Sequence, residues 1–199
     1  DSVFVVDGLE RQQWSLHLGP LSLRVQCCEK VLITGANGTG KTTLIKLLLG
    51  ESKPDTGSVK KGAALRIGYL PQEETTREER TLLEEFQHHV KLEESVARMH
   101  LNRFRIAADD VHKKLGLLSM GERSRLKLAI MMAQEPNCLI LDEPSNHLDL
   151  EALESLEGAL HDFEGTIVVV SHDRYFIKKI GFTKTYKLAN GMMSETGII

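Results

Sequence analysis

The sequence predicts an α/β fold with a mostly parallel core sheet, an N-terminal antiparallel β part and a small helical insert. Three observations carry that prediction. A glycine-rich loop, GANGTGKTT (35–43), stands between a short buried-type strand and a helix. The apolar runs CLIL (138–141) and TIVVV (166–170) flank a helix-forming stretch at roughly 150–161. Strand, helix and strand in that order imply parallel pairing with a right-handed crossover. Between them, residues 73–116 shift to charged, helix-forming composition.

The elements follow in order. SVFVVDGL (2–9) and LSLRV (21–25) read as strands, and KVLITG (30–35) as a short strand ending in glycine. TTLIKLLLG (42–50) has helical spacing and stops at Gly50, a C-cap. KPDTGS (53–58) is turn chemistry, and LRIGYL (65–70) is a strand ended by Pro71. TLLE (81–84) fits a capping box. From 121, Leu126, Ala129, Ile130 and Ala133 share a helix face. YKLANGMMSE (186–195) reads as a hairpin turning at Asn190-Gly191. No internal repeat or low-complexity tract interrupts the pattern.

Bulk properties narrow the function. The chain has 199 residues, 41% apolar and 27% charged, with a net charge of −3. That is the balance of a water-soluble globular domain and gives no general affinity for polyanions. The longest apolar runs are too short to span a bilayer, and DSVFVVDGLE lacks the form of a signal peptide. The chain begins with Asp1, so the expectation is a piece of a longer protein. Cys27, Cys28 and Cys138 have no zinc-ligand spacing and read as reduced thiols.

The loop at 35–43 fits the pattern G-x-x-x-x-G-K-[ST]. Gly35, Gly38 and Gly40 let the backbone wrap, so that the N–H groups of Ala36, Asn37, Thr39 and their neighbours turn toward phosphate oxygens. The following helix adds the partial positive charge of its N-terminus. Lys41 reaches terminal phosphates; Thr42 can ligate Mg²⁺, with Thr43 beside it. In CLILDEPSNHLD (138–149), Asp142 and Glu143 close a buried strand. Asp142 suits the Mg²⁺ shell opposite Thr42. Glu143 can orient or deprotonate an attacking water.

With those motifs in place the chain resembles an ATP-binding-cassette ATPase domain along essentially all of 1–199. The order is the phosphate loop, YLPQ (69–72), LSMGE (118–122), LILDEP (139–144), SNHLD (145–149) and SHD (171–173). The resemblance implies a P-loop NTPase cassette binding ATP and Mg²⁺, with 1–72 and 117–199 as nucleotide-binding core and 73–116 as a helical subdomain. It implies that Gln72 touches Mg²⁺ and the attacking water, and that His172 contacts the γ-phosphate. Taken alone, His172 is one histidine after a strand. It implies too that Ser119, Gly121 and Glu122 form a signature serving the ATP of a partner cassette. Asp149 then belongs to a loop crossing to that partner. Trp14 is a candidate for stacking on adenine, from its position ahead of the loop. Met120 stands where the family has its usual first signature glycine, and Ser145 where threonine is common.

DEPSNHLD, SHDRYFI (171–177) and RFRIAADDVHKKLGLLSMGER (103–123) are similar to the ABC-F subfamily. The resemblance implies two cassettes in one chain, no membrane domain, a cytoplasmic location and action on the ribosome in translation or antibiotic resistance. Only 46 residues, Glu73 to Leu118, separate Gln72 from Ser119. A long arm does not fit there, so the expectation is a second cassette, or an armless one, pairing with a first cassette or with its own copy. The alternative is the nucleotide-binding subunit of a membrane transporter, which shares the chemistry. A clamp that binds ATP without hydrolysis is disfavoured by intact Glu143, Gln72 and His172; a DNA-repair cassette is disfavoured by the short insert.

Overall fold

A computed structural model describes residues 1–70 and 79–197. Its contacts group the chain into two compact units. One comprises Asp1–Ile67, Asn137–Glu143 and Glu164–Ile199, the other Gly68–Pro136 and Pro144–Phe163.

The first unit holds two sheets. Strands β1 (Ser2–Gln13) and β2 (Leu16–Gln26) form a hairpin, and β4 (Thr56–Lys61) pairs antiparallel on the other side of β1. Along β2 the residues Leu21, Leu23 and Val25 are buried while Ser22 and Arg24 are exposed. That period of two gives the strand one apolar face. The core sheet contains β3 (Lys30–Thr34), β6 (Cys138–Asp142), β7 (Thr166–Val170), β8 (Lys184–Ala189) and β9 (Met192–Thr196). Their order is β6-β7-β3-β8-β9, parallel except for β9. Every residue of β6 and β7 is buried, which is why they read as unbroken apolar runs. Each fully buried Leu, Ile or Val side chain contributes about 1.5–3 kcal/mol to folding. Gly19 N–H donates to Gly191 O at 2.7 Å and ties the β1–β2 hairpin to the β8–β9 turn.

Two helices complete this unit. Helix α1 (Lys41–Leu49) follows β3 and ends at Gly50, whose φ of 79° lets its N–H return to Leu47 O. Helix α6 (Arg174–Ile180) is capped by Asp173, which accepts from Tyr175 and Phe176 N–H. Strand β5 (Ile67–Leu70) carries the chain from the first unit into the second.

The second unit is helical. Helix α2 (Leu82–His89) starts at the expected capping box, with Thr81 and Glu84 exchanging side-chain and backbone bonds. Helices α3 (Glu94–Arg103), α4 (Met120–Ala133) and α5 (Leu150–His161) follow, and α4 packs against α2, α3 and α5. Phe86, Leu101, Leu126 and Leu156 are buried here.

Two elements differ from the sequence expectation. The turn expected over 53–58 ends at Thr56, where β4 begins; only Ser58 and Val59 are half-buried and the other residues are exposed, so no apolar alternation announces it. Residues 174–180 form α6, a helix too short for the periodic pattern to show.

Candidate functional site

The phosphate loop lies where the pattern puts it, between β3 and α1. Gly40 is the N-cap of α1 with a φ of 99°, and a Cβ there would lie 2.6 Å from Leu18 Cδ2. Only glycine meets both demands. Among the described residues, no side chain caps α1 and no acid stands in its first turn. Its first N–H groups are thereby left for an anion. Lys41 is 7% exposed, and its Nζ donates to Gly35 O at 2.8 Å and Ala36 O at 3.0 Å. The ammonium is thus held over the loop. Thr39 Oγ1 donates to Ala36 O at 2.9 Å and closes the loop on itself. Asn37 and Gly38 are exposed, and Thr43 is half-buried.

β6 delivers the two acids. Thr42 Oγ1 donates to Asp142 Oδ2 at 2.7 Å. Burial pushes the Asp142 carboxyl above its ordinary pKa; the Glu143 charge adds to this, while the Thr42 hydrogen bond and the Lys41 charge oppose it. A hydroxyl and a carboxylate converging here are hard oxygen donors of the kind Mg²⁺ takes. Among the described residues no cluster of three or more His, Cys, Asp or Glu forms a metal cage. The Thr42–Asp142 donor pair fits the ion.

Glu143 has a φ of 47°, a left-handed conformation uncommon for a non-glycine residue. Its N–H donates to Val170 O at 2.8 Å, anchoring the turn to β7. His172 Nδ1 donates to Glu143 Oε1 at 2.9 Å; an ionised carboxylate only accepts, which sets the tautomer. Glu143 Oε2 is buried with no hydrogen-bond partner among the described residues. One oxygen is therefore held and the other is left to act. Sequence reasoning found both residues but neither the hydrogen bond between them nor the strained backbone.

The second unit holds Ser119, Gly121 and Glu122, the residues expected to form the signature. Ser119 is the N-cap of α4: its Oγ accepts from Glu122 N–H at 3.2 Å, and Glu122 Oε2 accepts from Ser119 N–H at 2.8 Å. Glu122 also meets Lys113 Nζ at 3.1 Å. The backbone bond from Ser119, helped by the bond from Lys113 and opposed by burial, leaves its carboxyl below the ordinary glutamate pKa. Asp149 caps α5, with Oδ1 accepting from Ala152 N–H at 2.8 Å. Its Oδ2 fills the space a Cβ on Gly121 would need. Arg125, buried on α4, reaches Asp149 Oδ2 at 3.5 Å and Glu151 Oε2 at 2.6 Å. The signature helix and the Asp149 loop are thus joined through one carboxylate. Sequence reasoning missed Arg125 and this contact; the Ser-x-x-Glu spacing at 119–122 was available as a signal for the capping box.

Trp14 is 93% exposed in the β1–β2 turn, four residues before the Leu18 that packs on Gly40. Gln72 lies outside the described residues.

The sequence profile of the family described as "ABC transporter" matches residues 18–146, and the chain belongs to that family of ATP-binding cassettes. It is a P-loop ATPase domain with an ATP-binding role, and its relatives are ABC-F proteins. YdiF of Bacillus subtilis (strain 168) is 44% identical over 84% of the chain. An ATP-binding cassette sub-family F member 3 homologue of Encephalitozoon cuniculi (strain GB-M1) is 38% identical over 87% of it. The energy-dependent translational throttle protein EttA of Mycobacterium tuberculosis (strain ATCC 25618 / H37Rv) is 40% identical over 74%. The chain spans only 26%, 31% and 27% of those relatives. Among solved structures, an ATP-binding subunit of an ABC transporter superposes with a TM-score of 0.85 at 22% identity, covering 99% of this chain and 90% of that one. That likeness concerns the fold alone. Among the described residues no helix is long and apolar enough to cross a membrane.

Proposed function

We propose that this chain is one cassette of an ABC-F type protein that hydrolyses ATP to ADP and phosphate when two cassettes close head to tail, and that closure acts on the ribosome in the cytoplasm. The observation that carries the catalytic part is the pair of hydrogen bonds at the end of β6, Thr42 to Asp142 at 2.7 Å and His172 to Glu143 at 2.9 Å. Thr42 and Asp142 would hold Mg²⁺, joined by Gln72 on the strength of the resemblance. The ion, when bound, neutralises charge on the β- and γ-phosphates.

The chain's own residues do the rest. The N–H groups of the loop and of the start of α1 bind the phosphates, and Lys41 exchanges its carbonyl partners for phosphate oxygens. Glu143 Oε2 takes a proton from the attacking water, while His172 fixes the carboxylate through Oε1. Trp14 stacks on the adenine; its exposure and the nearness of Leu18 to Gly40 support this. Ser119 and Gly121 face the γ-phosphate held by the partner cassette, and Asp149 lies in the crossing loop. Glu122 serves by closing the capping box. The ribosomal role rests on likeness to a translational throttle protein, and the place as second cassette on the short insert.

Because each complete site takes residues from two cassettes, specific ATPase activity of the purified chain rises with protein concentration. Brisk turnover, independent of concentration, by a demonstrated monomer contradicts the divided site.

A further inference from the structure

Cys27 and Cys28 occupy the centre of a β-turn between β2 and β3, closed by Glu29 N–H donating to Gln26 O at 3.3 Å. The turn is pinned from both sides. Glu29 Oε2 accepts from Gln26 N–H at 2.7 Å. Thr166 Oγ1, on a fully buried residue of β7, accepts from Cys28 N–H at 2.9 Å and donates to Gln26 O at 3.2 Å. Cys28 has a φ of 65°. Both thiols are exposed, and their Sγ atoms stand 3.1 Å apart. A disulfide needs about 2 Å, so the sulfurs converge without being bonded. None of the proposed nucleotide chemistry uses them.

We propose that Cys27 and Cys28 form a two-point binding site for soft trivalent metalloids, arsenicals above all, independent of the nucleotide site. Thiolate sulfur is the soft ligand such elements prefer. With phenylarsine oxide the step balances: two As–S bonds form, two S–H bonds and the As=O bond break, and one water leaves. No atom changes oxidation state, so no oxidant is required. The second As–S bond closes within the same turn, at the high effective concentration of a tethered partner. The bond between the thiols, then desolvation, raises the Cys28 pKa; the reaction therefore accelerates with pH as the thiolate forms. Cys138 makes a natural control, because burial in β6 pushes its thiol up to about 12.

The test loads the chain with phenylarsine oxide, challenges it with excess monothiol or a small dithiol, and reads the retained adduct by intact mass spectrometry. The expected result is one arsenical per chain that survives the monothiol and is stripped by the dithiol. Cys27→Ser and Cys28→Ser each lower retention against monothiol by about 10²-fold or more, the gain a second intramolecular bond brings. Cys28→Asn, which tolerates the left-handed backbone, gives the same loss, and Cys138→Ser none. Retention by the single-thiol variants at the wild-type level overturns the proposal. So does loss of the wild-type adduct to monothiol, or its disappearance in Cys138→Ser.

Discussion

Helices α1 and α4 both open on a turn suited to an anion, yet their first turns are finished differently. At α1 the N-cap is Gly40, and no side chain of the described residues satisfies the leading N–H groups. At α4 the Ser119–Glu122 box takes the N–H of Glu122 and returns a carboxylate to Ser119 N–H. The first helix is open by construction and suits a full set of phosphates. The second is half closed by its own residues, with the N–H groups of Met120 and Gly121 outside the box. Ser119 Oγ accepts within the box, so its O–H stays able to donate. A helix end of that kind holds its shape through its own residues. The contrast matches the division of labour proposed here, in which one end grips a nucleotide and the other completes a neighbour's site.

The sharpest way to break the contrast is at α1. Lys41→Ala removes a charge-assisted contact of about 1.5–3 kcal/mol, so affinity for ATP falls by about 10–150-fold in isothermal titration. Thermal stability without ATP moves little. Unchanged affinity removes the phosphate-loop role of Lys41.

At α4 the reverse pattern is expected. Gly121→Ala places a methyl group in the space of Asp149 Oδ2, which meets Arg125, on a carboxylate whose Oδ1 caps α5. Stability falls by about 1–3 kcal/mol, the usual cost of an overpacked contact, while ATP affinity stays within about twofold. Denaturant titration and calorimetry together separate the two. A neutral Gly121→Ala shows that the carboxylate does not constrain the signature helix.

A smaller effect sharpens the account of Asp142. Its folded-state pKa is raised by burial, so the fold holds the proton more tightly than the unfolded chain does. Ionised Asp142 therefore costs stability in full above the folded value, and the cost fades as pH falls from the folded value to the unfolded one. Asp142→Asn should raise the thermal midpoint at neutral pH by about 2–4 °C, or about 1 kcal/mol for a chain of this size. The gain should shrink toward about pH 4. A lowered midpoint at neutral pH rejects the burial argument.

How much of this was legible depended on whether the physics was local. The buried runs of β6 and β7, the glycine loop and the Thr81 capping box all depend on neighbours within a few residues, and the sequence displays them. The same Ser-x-x-Glu spacing stands at 119–122, where it encodes the second capping box. The carboxylate of Asp149 against Gly121 joins positions far apart in the chain, and no periodicity reports such a contact. The left-handed backbone at Glu143 follows from the strand end and the Val170 hydrogen bond, not from residue type. Strand β4 stayed hidden because its outer residues carry no apolar alternation.

The central claim is that ATP held by one cassette is completed by Ser119 and Gly121 of another. Sedimentation velocity of the Glu143→Gln chain, with and without Mg·ATP, tests it most directly. Loss of the carboxylate slows hydrolysis by about 10²–10⁴-fold and leaves Thr42, Asp142 and Lys41 to bind nucleotide, so ATP persists between the partners. Bound ATP then stabilises the closed pair by mass action. The account predicts an ATP-dependent dimer for Glu143→Gln and a monomer when Ser119→Arg is added, because the larger side chain occupies the place of the γ-phosphate. Equal ATP-dependent dimerisation of the single and double variants would contradict it.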